Sequence, residues 1–293
     1  MRSTSEQVIL ITGASSGIGA ALAEALARQF LGVRLVLSGR NPQRLEAVAE
    51  HCSKAGAKVL SVATDITDAQ QANGLAQKAL SHFGRVDVLV NNAGYGQMGP
   101  VELVSDAAVR RQMDVNFFGP LTLIRALVPA MRAAGGGRIV NLSSLAGQVA
   151  SPFSGIYSAS KYALEAISDA LRMELAPFGI SVVLIEPGPV STEFFKVAQQ
   201  QAEGTIADPK QTVYAPAFEK LEGIVDQVDK VAWPLERATQ VIVKAVTDRR
   251  PRARYVAAPG GALLLPLLNL LPAAVKDRLQ SKFYGLDRIA GPV

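Results

Sequence analysis

Cysteine is nearly absent: Cys52 stands alone among 293 residues, so no disulfide can close within the chain. That suits a reducing compartment and predicts a cytoplasmic location. Histidine is scarce as well. His51 and His82 are the only two, and with a single cysteine they make no ligand cluster, so no metal site is expected. Charge of one sign is not in large excess: 30 Lys+Arg face 25 Asp+Glu, a net +5. No continuous basic run offers a nucleic-acid arm, and no nucleic-acid partner is expected. Long apolar runs are missing too. The nearest, over 262–271, is too short to span a bilayer and holds Pro266 and Asn269. Residues 1–7 are polar and show no signal-peptide core. What is present is a hydrophobic fraction of 49%, which supports a sizeable core and excludes a disordered chain.

Apolar runs alternate with helical patterns along most of the chain. Strands are predicted at 8–12, 33–37, 58–64, 86–90, 138–142, 180–186 and 254–258. Helices are predicted at 20–29, 42–55, 69–83, 107–131, 157–176 and 234–247, the fourth interrupted around 116–120. This alternation implies an α/β fold, one doubly wound domain over 1–258 with a parallel sheet covered on both faces. Asn116 is polar among apolar neighbours, and on its own reads as bonding backbone at a kink. Residues 193–232 lack clean periodicity, and long excursions of that kind are functional or mobile. The tail, 259–293, is rich in leucine and proline and ends in an amphipathic piece at 273–284. It is expected to pack on the same domain.

Two stretches carry chemistry. Gly13, Ser15, Ser16, Gly17, Ile18 and Gly19 lie between the first strand and the first helix. Glycines there let backbone amides approach a pyrophosphate, and the helix N-terminus adds its dipole. At the end of the second strand, an acidic residue would bind the ribose 2′-hydroxyl of NAD. Gly39 and Arg40 stand there instead. An arginine fork suits a 2′-phosphate, so NADP(H) is favoured over NAD(H), although a plain surface arginine fits the same position. Further on, Ser144 ends the fifth strand, and Tyr157 and Lys161 lie four apart on one helix face. A phenol, an ammonium and a hydroxyl can converge on one reacting oxygen. A free tyrosine titrates near ~10. An ammonium nearby is expected to lower that value, so that Tyr157 exchanges a proton with a carbonyl or an alcohol. Taken alone, the short Tyr–Lys motif fits a purely structural helix better.

Thr12, Gly13, Gly17, Ile18, Gly19, Asp65, Asn91, Asn92, Ala93, Gly94, Asn116, Ser144, Tyr157, Lys161, Pro187 and Gly188 occur in an order that resembles the short-chain dehydrogenase/reductase family. The resemblance covers roughly residues 8–258 and implies one extended Rossmann-type domain. It implies that Asp65 and Ile66 border the adenine, that Asn92, Ala93 and Gly94 line the cofactor with Pro187 and Gly188, and that Lys161 also holds the nicotinamide ribose. It further implies that Asn116 holds a water linking Lys161 to solvent, and that Val190 and Thr192 meet the nicotinamide carboxamide. Short segments at 92–96 and 186–192, with the long tail, resemble the hydroxysteroid and retinol dehydrogenase branch. One departure bears on the cofactor. Many NADP-dependent members carry a basic residue in the glycine loop, where this chain has Ser15 and Ser16, so NADP rests on Arg40 alone.

The leading expectation is therefore an NADP-dependent enzyme interconverting a ketone or aldehyde and an alcohol by hydride transfer. Its substrate is expected to be apolar, of steroid, retinoid or long-chain size. Two alternatives stand beside it: a 3-oxoacyl-thioester reductase, and a catalytically silent NADP-binding regulator. Residues 193–232 are expected to form a substrate lid offering Phe194, Phe195, Val197, Val213, Tyr214 and Phe218. The tail leucines, from Leu263 to Leu271, fit either the pocket or a core or dimer contact. In the resembling family the helices near 107–131 and 157–176 pair across a two-fold axis, which implies a homodimer or homotetramer. A peripheral membrane contact, helped by Arg249, Arg250, Arg252 and Arg254, is a further expectation.

Overall fold

Successive side chains of strand β1 (Val8–Thr12) point to opposite faces of a sheet, and both faces are buried. Ile9 and Ile11 enter one hydrophobic core, Val8 and Leu10 the other. A continuous apolar run of this kind marks a parallel strand covered by helices on both sides. The computed structural model describes residues 3–205, 211–258 and 260–289. The side chains of 195, 203–205, 222, 224–230, 262–264 and 266 are also outside that description, so the expectations for Phe195, Leu263 and Leu264 lie outside the described residues.

The other strands are β2 (Arg34–Gly39), β3 (Lys58–Ala63), β4 (Val88–Asn91), β5 (Gly137–Leu142), β6 (Ile180–Pro187) and β7 (Arg254–Ala257). All seven are parallel, in the order β3-β2-β1-β4-β5-β6-β7. Helices α1 (Gly17–Gln29), α2 (Pro42–Lys54) and α9 (Leu235–Thr247) supply the core on one face. Helices α3 (Ala69–Phe83), α5 (Gly119–Ala133) and α6 (Gly155–Leu175) supply it on the other. The strand order reverses between β1 and β4, and in such sheets ligands bind outside the carboxyl ends of the strands at that point.

Buried polar groups tie these layers together. The Asn91 amide donates to Asn141 Oδ1 at 2.8 Å, and the Asn141 amide donates to Ser168 Oγ at 2.8 Å. This ladder locks α6 against β4 and β5. Arg138, fully buried, donates to the carbonyls of Ala245, Val246 and Asp248. It thereby satisfies carbonyls that the last turn of α9 leaves open.

One expectation changes, and two take definite form. The interruption near Asn116 is a π-helical turn, Asp114–Phe118, between α4 (Asp106–Met113) and α5. Pro120 sits in the first turn of α5, where its missing N–H costs nothing. The stretch 193–232 is largely helical, as α7 (Phe194–Thr205) and α8 (Ala215–Val231). Pro216 opens α8 instead of breaking it. The tail forms α10 (Gly261–Leu270) and α11 (Ala273–Tyr284). Among the described residues no helix is long and apolar enough to cross a membrane.

Candidate active site

The glycine loop is held to the end of β4 by side chains from both strands. Thr12 Oγ1 accepts from the N–H of Asn92 at 3.1 Å and of Ala93 at 3.0 Å, while the Asn92 amide donates to Thr12 O at 2.8 Å. A Cβ on Gly13 would lie 2.8 Å from Asn92 Nδ2, and φ there is +67, so only glycine fits. Gly19 packs against Gly13 and Asn92 and does not line the cleft; its role is close approach of helix and strand. Ser16, at the N-cap of α1, makes no side-chain cap, so the first-turn N–H groups of α1 have no side-chain cap from Ser16 at the cleft. These groups fit the pyrophosphate of a dinucleotide.

One cavity of about 1450 Å³ runs along the carboxyl ends of the strands. It is lined by Gly13, Ser15, Ser16, Gly17, Ile18, Arg40, Asp65, Ile66, Asn92, Ala93, Gly94, Ser144, Tyr157, Lys161, Pro187, Gly188, Val190 and Thr192. Of the predicted site residues, Gly19 and Asn116 do not line it. Arg40 is exposed at its rim. Arg44, in the first turn of α2, lines it too and pairs with Glu193 at 3.3 Å. Sequence reading missed this second arginine, although its place just after the Asn41 cap of α2 puts it on the same rim.

Asn116 works from behind. Its carbonyl oxygen accepts from Tyr95 N–H at 3.2 Å, and its amide donates to Tyr95 O and to Ser160 Oγ, both at 3.0 Å. Gln112, on the preceding turn, donates to the same Tyr95 carbonyl at 2.9 Å and accepts from Gln97 N–H at 2.6 Å. Together they pin the loop after β4 to α6. The π-helical turn carries Asn116 to this position, which agrees with the tendency of π-turns to mark functional sites.

Ser144, Tyr157 and Lys161 line the same cavity. Ser144 Oγ accepts from Ala146 N–H at 3.1 Å, which fixes the hydroxyl beside Tyr157. Lys161 Nζ donates to Leu142 O at 2.7 Å and sits 5.8 Å from the centre of the Tyr157 ring. Burial pushes the Tyr157 phenol up to about 12, against a hydrogen bond from Ser144 that pulls it down. Burial dominates, and the lowering expected from Lys161 is not seen; its ammonium donates to the Leu142 carbonyl. Tyr157 is therefore a neutral acid at physiological pH, poised to give a proton. Burial also brings Lys161 down to about 8, with the Glu165 carboxylate opposing it.

Beyond Tyr157 the walls become apolar. Phe194 packs on the Tyr157 ring at a tilt, with centroids 5.6 Å apart, and Val197 and Phe218 also line the space. Val213 does not; it is exposed to solvent. Phe153 is the hub of this end. It packs on Tyr214 at 6.1 Å, Phe218 at 5.6 Å and Tyr284 at 6.4 Å, joining α8 and α11 to the loop before α6. Its φ of +63 is the only positive value at a non-glycine among the described residues. Strain of this kind persists where surrounding structure imposes it, often at functional sites. The tail contributes Leu265, Leu268 and Tyr284 to the same walls.

Arg254 is not available to a membrane. Its guanidinium is held by Glu165 at 3.0 Å, Asp169 at 2.8 Å and Glu186 at 3.1 Å. Arg249, Arg250 and Arg252 precede β7, at the end of the sheet opposite the cavity, because β7 runs parallel to its neighbours.

A doubly wound sheet with a dinucleotide cleft and a Ser–Tyr–Lys centre defines a nucleotide-dependent oxidoreductase. The family model for short chain dehydrogenases matches residues 7–203, and the chain belongs to the short-chain dehydrogenase/reductase family. It is 33% identical over 276 residues to an NADPH-dependent 3-dehydrocapnine reductase from Ornithobacterium rhinotracheale, covering 92% of this chain and 94% of that one. It is 35% identical over 254 residues to a 3-ketodihydrosphingosine reductase from Bacteroides thetaiotaomicron, covering 86% and 88%. Neither name is that of a hydroxysteroid or retinol dehydrogenase. Among solved structures, a short-chain dehydrogenase/reductase from Burkholderia phymatum in complex with NAD aligns with a TM-score of 0.80 at 28% identity, over 100% of this chain and 99% of that one. A metagenomic short-chain oxidoreductase in complex with NADP aligns with a TM-score of 0.69 at 30% identity, over 88% and 99%.

Proposed function

We propose that this enzyme uses NADPH to reduce a ketone carried on a long apolar chain. The observation that carries this reading is the continuation of the cavity past Tyr157 into walls of Phe153, Phe194, Val197, Phe218, Leu265 and Leu268. Ser151, Ser154, Gln199 and Glu219 also line the cavity, and pockets with mainly apolar walls and a few polar groups take ligands that are mostly apolar with polar groups at defined points. The relatives named for 3-dehydrocapnine and 3-ketodihydrosphingosine support a ketone as the reacting group, and the first of them is named as NADPH-dependent.

In this reading bound NADPH supplies a hydride to the carbonyl carbon. The chain's own residues do the rest. Tyr157 gives its proton to the carbonyl oxygen, and Ser144 donates a hydrogen bond to that oxygen. Lys161, anchored on Leu142 O, keeps positive charge beside the phenolate that forms and holds the nicotinamide ribose. Asn116 and Gln112 keep the loop at 95–97 seated against α6, so that the cofactor wall does not shift. Arg40 and Arg44 meet the 2′-phosphate at the rim.

The test is turnover on 3-keto substrates of increasing chain length, as free ketones and as 3-oxoacyl thioesters, with NADPH and with NADH. The reading expects kcat/KM to rise with chain length and NADPH to be preferred. A maximum on small hydrophilic ketones would refute the apolar pocket. A preference for thioesters over free ketones of equal length would favour acyl-thioester reduction, and no turnover on any carbonyl would favour a silent NADP-binding protein.

A further inference from the structure

The cap formed by α10 and α11 has two apolar sides, and only one is used. The inner side supplies Leu265, Leu268 and Tyr284 to the cavity. On the outer side Leu267 is 54% exposed, Leu270 80%, Val275 43%, Leu279 57% and Phe283 52%. These five lie within one short stretch of chain, and single exposed leucines elsewhere would need no explanation. On α11, Val275, Leu279 and Phe283 follow one another at intervals of one turn, making an exposed stripe along the helix.

Charge beside that stripe is of one sign. Arg278 and Lys282 lie three and seven residues after Val275, so they share its face. Both are exposed. Asp277, two residues after Val275, points to the other side of the helix. An apolar stripe edged by exposed cations fits an interface where hydrocarbon lies next to negative charge. We infer that the outer face of α10–α11 docks this enzyme on an anionic lipid bilayer.

The docking face goes beyond the proposed reaction and is read without turnover, so either can fail alone. The experiment is co-sedimentation of the full chain with phosphatidylcholine vesicles, with and without phosphatidylglycerol. The wild type is expected to pellet with the phosphatidylglycerol vesicles, and to release as salt is raised. The double variant Arg278→Glu/Lys282→Glu should lose at least about 25-fold in partition to those vesicles, from about fivefold for each cation near an anionic surface. Leu270→Ser/Leu279→Ser should lose at least about tenfold on both vesicle types, because two apolar anchors are removed. These side chains touch neither cofactor cleft nor cavity, so turnover on a substrate held in solution stays at the wild-type level. Wild-type protein remaining in the supernatant would overturn the inference, as would either variant pelleting like the wild type. If Leu270→Ser/Leu279→Ser instead converts a dimer to a monomer while wild type ignores vesicles, the face belongs to a second copy and the inference falls.

Discussion

Replacing Lys161 by methionine should change the stability of the fold with a definite dependence on pH. In the folded chain burial brings the Lys161 ammonium from its ordinary 10.5 down to about 8. Each tenfold in proton affinity is about 1.4 kcal/mol, so keeping the charge buried at neutral pH costs about 3 kcal/mol relative to the unfolded chain. The sign follows from proton counting. Between about pH 8 and about pH 10.5 the unfolded chain holds a proton on Lys161 that the folded chain has released, so wild-type stability from this group rises with pH across that window. Below about 8 the cost is complete, and above about 10.5 it is gone. Lys161→Met removes the ammonium and is free of this dependence. It also leaves the Leu142 carbonyl without its 2.7 Å donor, a loss that is the same at every pH. The variant should therefore gain about 2–3 kcal/mol on wild type when the two are compared at about pH 7 rather than at about pH 10. Urea unfolding of both proteins, without cofactor, across that range measures the difference directly. Two stability curves that stay parallel would refute the argument, because they would mean that the ammonium is solvated or compensated in the folded chain.

Other expectations follow from the same geometry. Tyr157→Phe keeps the ring packed against Phe194 and removes the proton donor, so kcat should fall by about 10²–10⁴ with cofactor affinity retained; near-normal turnover would exclude Tyr157 as the acid. The kcat/KM for carbonyl reduction should decline above about pH 8, as Lys161 loses its proton, while Tyr157 stays protonated to about 12; a rate profile flat to pH ~10 would show that the ammonium is not needed. Arg40→Ala should weaken NADPH by about 1.5–3 kcal/mol and NADH little, since only NADPH presents a 2′-phosphate; equal losses in titration would remove Arg40 as its reader. Phe118, Tyr162 and Met173 remain exposed on the helices expected to pair across a two-fold axis, so sedimentation at micromolar concentration should give a dimer or tetramer, and a lone monomer would reject the pairing.

Local chemistry was enough to expose the frame of this protein in its sequence. Strands buried on both faces must be apolar throughout, so β1 and β6 announce themselves without any knowledge of their neighbours. A glycine loop between strand and helix has few other uses, and Tyr157 and Lys161 share a face because an α-helix repeats every 3.6 residues. The helices of 193–232 were not legible, because Pro216 reads as a breaker until its place in a first turn is known. Asn116 was legible as an anomaly, but its partners, Tyr95 and Ser160, lie on other elements. The π-turn that lets it reach them exists only in the packed chain. The state of Tyr157 is likewise a tertiary property: spacing brings a lysine near, but burial, opposed by a hydrogen bond from Ser144, decides that the phenol is held neutral. The apolar end of the cavity depends on Phe153 meeting Tyr284, a contact between distant parts of the chain that no periodicity encodes. Sequence alone thus determined which groups this protein carries and the order of its strands and core helices. Tertiary structure decided which of them are dry, which are neutral and which face one another, because desolvation and long-range contact arise only when the layers close.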